Sequence, residues 1–378
     1  MKGKMTLAAI AATALVGCDN VQEELQIPTL GYEDSVAVCL DEGEQISDVA
    51  PAFGAEDLDG LDSSVLSSRN GGVEVIQRLW TGDQPAPSAS IIHDRDERDR
   101  LGHFLFYDTD DVLFRFGLKF NNDFESEIGL NGELVDLVGQ SVAILGERYK
   151  IVRANLGGTD AYLQFMSGAM NNILDVGHTG SYSIDGTDYV VSLAGWNPVD
   201  KEAGYIVNGE WTGVLGPGKM YQLADGTNIG HVTMYDAGGI QLSEFMLGAN
   251  SMLWRDENIT DTIAGQAVPV HDFEYIEEAY VRIEGTIPPG NIVLLHTVDY
   301  TLMADAVLGD LYVPAGEEVS AHLDEPEGIP GRLGFGYAGK VVGESQQSFD
   351  DPFGSGMLRD SYGGLGINKH IVEFFIRD

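Results

Sequence analysis

Only two cysteines, Cys18 and Cys39, occur in the 378 residues. Two thiols cannot build a disulfide framework or a four-thiolate zinc site. Basic residues are scarce too: 21 Lys and Arg stand against 60 Asp and Glu, for a formal charge of −39. Phosphate backbones are bound by clustered Lys and Arg, so nucleic acid is excluded as a partner, and an anionic membrane surface is excluded on the same ground. Such an excess of acid suits an exterior where salt screens it or calcium neutralises it, because self-repulsion otherwise weakens the compact state. Catalytic signatures are missing as well. The eight histidines, at 93, 103, 178, 231, 271, 296, 322 and 370, form no H-x-x-x-H or H-x-H pair, and there is no G-x-S-x-G elbow. Glu277 and Glu278 are neighbours that a strand would turn to opposite faces. These residues nominate no active site, and the chain is read as a non-enzyme.

Long apolar runs are also wanting, except at the start. MKGKMTLAAIAATALVGCDN has two lysines, an uncharged run from Leu7 to Val16 and small residues at its end, the layout of an export signal. It falls short of the roughly 20 apolar residues of a membrane span. Leu15, Val16, Gly17 and Cys18 follow the order of a lipid-modified signal, which makes Cys18 a lipid-anchor candidate. The other reading of Cys18 is one half of a disulfide with Cys39. Both place the protein outside the cytoplasm.

What the chain does have is 43% hydrophobic and 9% aromatic residues, enough to fold. The 48 glycines fall between short apolar runs, as turn residues do. Asp185-Gly186, Asn208-Gly209 and Asp225-Gly226 each separate alternating stretches, and such dipeptides supply the positive φ values of two-residue hairpin turns. Strand candidates recur at roughly 8–12-residue spacing, the pattern of antiparallel sandwiches and barrels. The expected fold is all-β: two or three sandwich-like domains with hairpin-rich antiparallel sheets. The division read from the sequence is an export signal over 1–18, a tether over 19–35 and β domains over 36–136, 137–270 and 271–378. DVLFRFGLKF (111–120) reads as a half-buried strand, SEFMLGANSMLW (243–254) as a short helix or a strand, and HIVEFFIRD as a strand paired into a sheet.

Two motifs are weighed against plainer readings. GFGYAG (334–339) has the spacing of a dinucleotide loop, but the Gly-, Ser- and Pro-broken text after it is no helix, and its glycines read as a loop. DRDERD (94–99) puts acids at alternate positions, yet Arg98 and Asp99 stand where a calcium loop needs an oxygen ligand and a glycine. The acidic residues to consider for cation bridging, with calcium as the ion, are Asp57, Asp59, Asp62, Asp94, Asp96, Asp108, Asp110 and Asp111; a solvated loop is the plain alternative for each. No cofactor is required. Asn258-Ile259-Thr260 is an N-glycosylation sequon, so Asn258 is a glycan candidate.

Three stretches in order, LVGQSVAILGERYKIV (137–152), LQFMSGAMNNILDVGHTGSYSIDGTDYVVSLAGW (163–196) and YIVNGEWTGVLGPGKMYQLADGTNIGHVTMY (205–235), resemble the archaeal surface-layer (S-layer) proteins. That family carries a strand pair with a hydrophobic-Leu-Gly-x-x-Tyr-x-hydrophobic core, then a Gly-x-x-Tyr hairpin, a Val-Asn-Gly-Glu turn and a Leu-x-Asp-Gly-Thr-x-Ile-Gly element. Each has a counterpart here, and LGHFLFYDTDDVLFRFGLKFNNDFESEIG extends the likeness upstream, so that it spans residues 101–235. The chain departs from the family in its shorter length, in lacking an evident C-terminal membrane anchor and in carrying the Cys18 motif. The resemblance implies a structural protein of the cell envelope, assembling by self-association into a two-dimensional lattice on the cell surface. A carbohydrate-binding or substrate-capturing surface lipoprotein is the alternative, with Trp80, Trp196, Trp211 and Trp254 as candidate sugar-stacking rings. A secreted hydrolase would need a cleft with two facing carboxylates.

Overall fold

The computed structural model describes residues 14–16, 25–82, 89–96, 98–109, 111–260, 269–304, 309–343 and 369–377. The protein is all-β. Helix among the described residues is limited to the single turn Ile46–Val49 and short 3₁₀ segments, and no helix is long and apolar enough to cross a membrane, which leaves strands aside. The chain divides into two compact units, each assembled from segments distant in sequence. One comprises Met1–Asp59, Leu79–Arg115 and Met303–Asp378, the other Gly60–Arg78 and Phe116–Leu302. The expected domains were consecutive stretches, whereas the compact units are not.

The first unit is built on a five-stranded sheet ordered Ala14–Val16, Asp34–Asp41, Lys369–Ile376, Leu333–Lys340, Glu317–Glu318. Its pairs are antiparallel except the first, in which the end of the N-terminal apolar run lies parallel to Asp34–Asp41. Two of its three inner strands read VAVCL and HIVEFF because both of their faces are covered, so polar alternation gives way to continuous apolar sequence. Phe374 anchors this core, with Phe335 stacked at 5.2 Å and Phe53 at 5.0 Å. The one carboxylate inside HIVEFF, Glu373, is fully buried and accepts hydrogen bonds from Thr29 Oγ1 and the Leu30 amide. A three-stranded sheet, Leu311–Pro314 with Leu101–Tyr107 and Ser90–Arg95, belongs to the same unit. GFGYAG lies inside the strand Leu333–Lys340, not in a loop. A side chain at Gly334 would meet the Phe375 ring and one at Gly336 the backbone of Glu317, so close packing accounts for these glycines.

The second unit holds an eight-stranded sheet whose main path runs Ser141–Ile144, Glu147–Gly157, Asp160–Asp175, Ile240–Asp256, Asn228–Ala237, Met220–Gln222. SEFMLGANSMLW is the middle of its 17-residue strand Ile240–Asp256. A four-stranded meander, Thr179–Ile184, Thr187–Asn197, Glu202–Val207 and Glu210–Leu215, packs one face on this sheet. Asp185-Gly186 and Asn208-Gly209 turn its hairpins with all four φ values positive, as their sequences require. Asp225-Gly226 departs from the expected two-residue turn. Asp225 is outside the left-handed region, and residues 223–227 form a longer loop closed by Leu223 N to Thr227 O and capped by the Asp225 carboxylate on Thr227 N. DVLFRFGLKF, from its second residue on, belongs to the strand Val112–Glu127 and is more enclosed than half-buried, with Val112, Leu113, Phe114, Phe116, Leu118 and Phe120 all inside.

Candidate functional site

The meander has two unlike faces. Tyr189, Val191, Leu193, Tyr205, Val207 and Leu215 point inward onto Ile229, Phe245 and Leu247 of the larger sheet. Strand alternation then turns Val190, Ile206, Trp211 and Val214 outward, where they are 45%, 37%, 45% and 55% exposed. Ile206 is the direct cross-strand partner of both Ser192 and Trp211, and Val190 is the partner of Ser181. The Trp211 indole reaches across the sheet over Gly204 and Gly195. A Cβ at Gly204 would collide with the ring and one at Gly195 would lie 3.0 Å from it, so glycine is what lets the indole cross there. Thr179, Ser181, Ser183 and Ser192 share this face; its charged members are Asp188, opposite Ser183, and Glu202, opposite Asn197 at the far end. In a chain of −39 this is a surface nearly free of charge.

Beside the meander, the second unit has a cleft of about 450 Å³. Its walls carry three cations, Arg153, Lys201 and Lys219, and three acids, Glu133, Asp200 and Glu202. Arg153 donates to the Tyr162 hydroxyl at 2.7 Å and lies 5.1 Å from that ring's centroid. Lys201 Nζ is 3.7 Å from Glu133 Oε1, whereas Lys219 has no ion pair among the described residues. A cleft of mixed sign can hold a small ligand with several hydrogen-bonding groups.

Two polar networks are enclosed behind it. His231 is fully buried; its Nε2 is 2.7 Å from the carbonyl oxygen of Lys201 and so carries the proton. Its Nδ1 then accepts from the Tyr205 hydroxyl at 2.8 Å, and Ser243 donates to the tyrosine oxygen at 2.6 Å. Burial lowers the His231 pKa, which keeps the ring neutral. Histidine, serine and tyrosine are thus juxtaposed where solvent does not reach, and they serve the interior. On the next residue, buried Glu244 takes both oxygens to Lys150 Nζ, at 2.6 and 2.7 Å, with Asn171 Nδ2 at 2.9 Å and the Tyr235 hydroxyl also bonded. Burial works to raise its pKa, but the bonds from Lys150, Tyr235 and Asn171 outweigh it and hold the carboxylate below its ordinary value.

The acidic residues named from the sequence are dispersed. Asp57 caps the Gly54 amide, Asp59 donates its backbone N–H to Asp34 Oδ1, and Asp62 is exposed in the other unit. Asp94 bonds the next amide, and Asp96 is committed to Arg100, whose Nε is 2.6 Å away, and to the amides of Arg98 and Arg100. Burial opposes ionisation of Asp96, yet those bonds keep its pKa lowered. Asp110 lies outside the described residues. Asp108 and Asp111 come together with Asp310, a neighbour the sequence gave no reason to include; burial, joined by the like charges of Asp108 and Asp310, raises the Asp111 pKa. Asn258 Oδ1 accepts from Thr260 N at 3.2 Å and Oγ1 at 2.8 Å, and its Nδ2, the glycan-accepting atom, makes no hydrogen bond among the described residues.

Of the four tryptophans, Trp254 is fully buried, stacked on Tyr300 at 5.3 Å, and Trp80 is half-buried beneath the Arg115 guanidinium at 4.1 Å. Trp196 is 47% exposed but pairs with the inward-facing Ala203, so it leaves the meander on the face opposite Trp211 and the two form no row. Cys39 is fully buried and disulfide-bonded, and no free cysteine occurs among the described residues. Cys18, the other cysteine of the sequence, lies outside them. One sulfur cannot carry both a lipid thioether and a disulfide. Alkylation followed by intact mass is therefore expected to show no adduct before reduction and two after it; a lipid-sized mass increment at Cys18 would reverse that expectation.

No protein-family model and no curated protein matches the chain.

Proposed function

We propose that the protein is a structural component of a cell envelope, exported and assembling with copies of itself into a lattice on the outside of the cell, as its resemblance to surface-layer proteins implies. The observation that carries this reading is the outward face of the meander, where Val190, Ile206, Trp211 and Val214 stand exposed with almost no charge around them. Copies of a −39 chain repel at most of their surface, so they meet at lowest cost where acids are few. A second copy is the partner this face fits, and apolar area buried there contributes roughly 25 cal/mol per Å². Calcium acts on the rest of the surface by relieving repulsion, with Asp108, Asp111 and Asp310 the place where carboxylates already crowd one another. No catalytic step belongs to this reading.

The test is sedimentation and negative-stain imaging of the chain lacking residues 1–17, with millimolar calcium and with chelator. Ordered sheets that form with calcium and dissolve in chelator are expected; a monomer under both conditions removes the reading. The second reading, a carbohydrate-binding surface protein, draws on the half-exposed Trp211 indole alone, and glycan-dependent quenching of its fluorescence would favour it.

A further inference from the structure

Three histidines far apart in the sequence meet in the first unit. His93, on Ser90–Arg95, and His103, on Leu101–Tyr107, are direct cross-strand partners, so both side chains leave the sheet on one face, and their rings stack with centroids 4.6 Å apart. His370, on Lys369–Ile376, brings its ring to 4.7 Å from that of His103. The three are graded in exposure: His370 is enclosed, His103 is partly open and His93 faces solvent. Glu42 joins them, its Oε2 3.7 Å from His103 Nε2 and its backbone bridged to Ile91 two residues before His93.

His370 supplies the deciding observation. Its Nδ1 is 2.6 Å from the Tyr337 hydroxyl, while its Nε2, shut off from solvent, has no hydrogen-bond partner among the described residues. A buried polar atom left without a partner is costly and calls for an explanation. With the proton on Nδ1 and donated to the tyrosine oxygen, the Nε2 lone pair is bare, which is how proteins present a metal-binding imidazole.

We propose that His93, His103 and His370, with the Glu42 carboxylate, form a binding site for one divalent transition-metal ion of the zinc class. Imidazole nitrogens with one carboxylate suit Zn²⁺ and Co²⁺, whereas Ca²⁺ takes oxygen ligands and is not served here. The site is distinct from the acidic residues considered for calcium and independent of the assembly reading. As the rings stand, their nitrogens do not converge on one point. Convergence requires the stacked His93 and His103 rings to turn about χ1 and χ2; both reach solvent, where such turns take picoseconds to nanoseconds. Lys340, cross-strand from His370, opposes a bound cation, while Glu42 and Asp41 favour it.

The experiment uses the full chain without a polyhistidine tag, titrated with zinc chloride by calorimetry and with cobalt chloride by visible absorption. One Zn²⁺ per chain and the intense d–d bands of tetrahedral Co²⁺ are expected. Both are expected to vanish in the His93→Gln/His103→Gln double variant, whose two positions reach solvent and whose fold is checked by circular dichroism. Tyr337→Phe, which leaves every ligand in place, is expected to weaken zinc binding roughly 10-fold or more, because the ring of His370 loses the group that orients it. A chain that takes up no zinc overturns the proposal, and so does zinc uptake unchanged in the double variant.

Discussion

Replacing Lys150 by methionine is expected to destabilise the protein by about 3–5 kcal/mol at neutral pH, read as a shift in the urea or guanidinium midpoint of the second unit. The size follows from the position of Glu244. Its side chain is 5% exposed, its charge is met by a lysine that is itself 14% exposed, and Asn171 and Tyr235 complete its bonds. Methionine has the length of the lysine stem without its charge, so packing is largely kept while the carboxylate loses the cation that offsets its desolvation. The pH dependence carries a definite sign. In the parent, the folded pKa of Glu244 lies below its unfolded value, so its contribution is present in full above the ordinary glutamate range and is lost as pH falls through the depressed value. In the variant the buried carboxylate has no cation, its pKa rises above the unfolded value, and acidification relieves its burial by protonating it. The gap between parent and variant is therefore widest near neutrality and narrows below about pH 4. A shift under about 1 kcal/mol at pH 7 would mean that the network is open to water and would fit the usual worth of an exposed pair.

Introducing aspartate at Ile206 and Val214 together is expected to hold the chain monomeric where the parent sediments with calcium. Both side chains point away from the core, at 37% and 55% exposed, so neither change removes interior packing, and each is expected to cost about 1 kcal/mol because aspartate is a poor strand residue. What changes is the character of the face: two carboxylates per copy would be brought against two from the neighbour. The same experiment separates the two functional readings. If the face meets a second copy, Ile206→Asp/Val214→Asp abolishes sheets; if it meets sugar rings, Trp211→Ala abolishes binding while the double variant never changes the oligomeric state. Sedimentation of the double variant indistinguishable from the parent's assemblies would remove this face from the lattice.

The sequence made some elements easy to read and hid others for physical reasons. Asp185-Gly186 and Asn208-Gly209 announced their hairpins because a tight turn depends on the local backbone alone, and the all-β class followed from such turns. Asp225-Gly226 misled because Thr227 offered the aspartate a backbone amide to cap, and the loop grew around that bond. GFGYAG looked like a loop because glycine usually marks one; nothing nearby in the chain reveals that Phe375 lies over Gly334. The candidate sites were harder still. Lys150 and Glu244 are 94 positions apart, and His93, His103 and His370 have no motif spacing, since strands from distant segments bring them together. The outward face of the meander was partly legible: alternation predicts that Val190 and Ile206 oppose Val191 and Val207. Alternation does not tell which set is covered.

The sheet of the first unit has a consequence for how the molecule is made. Its middle strand, Lys369–Ile376, lies between Asp34–Asp41 and Leu333–Lys340, and Thr29 bonds to Glu373 across 344 positions of chain. A ribosome therefore has to reach Lys369–Ile376 before Asp34–Asp41 can find its neighbour on that side, and until then VAVCL keeps an open, apolar edge of the kind that aggregates. Closing so long a loop also makes folding slow. The first unit, built in this order, stays incomplete until that late strand is made, so any holding factor it meets has to guard residues 34–41 above all others.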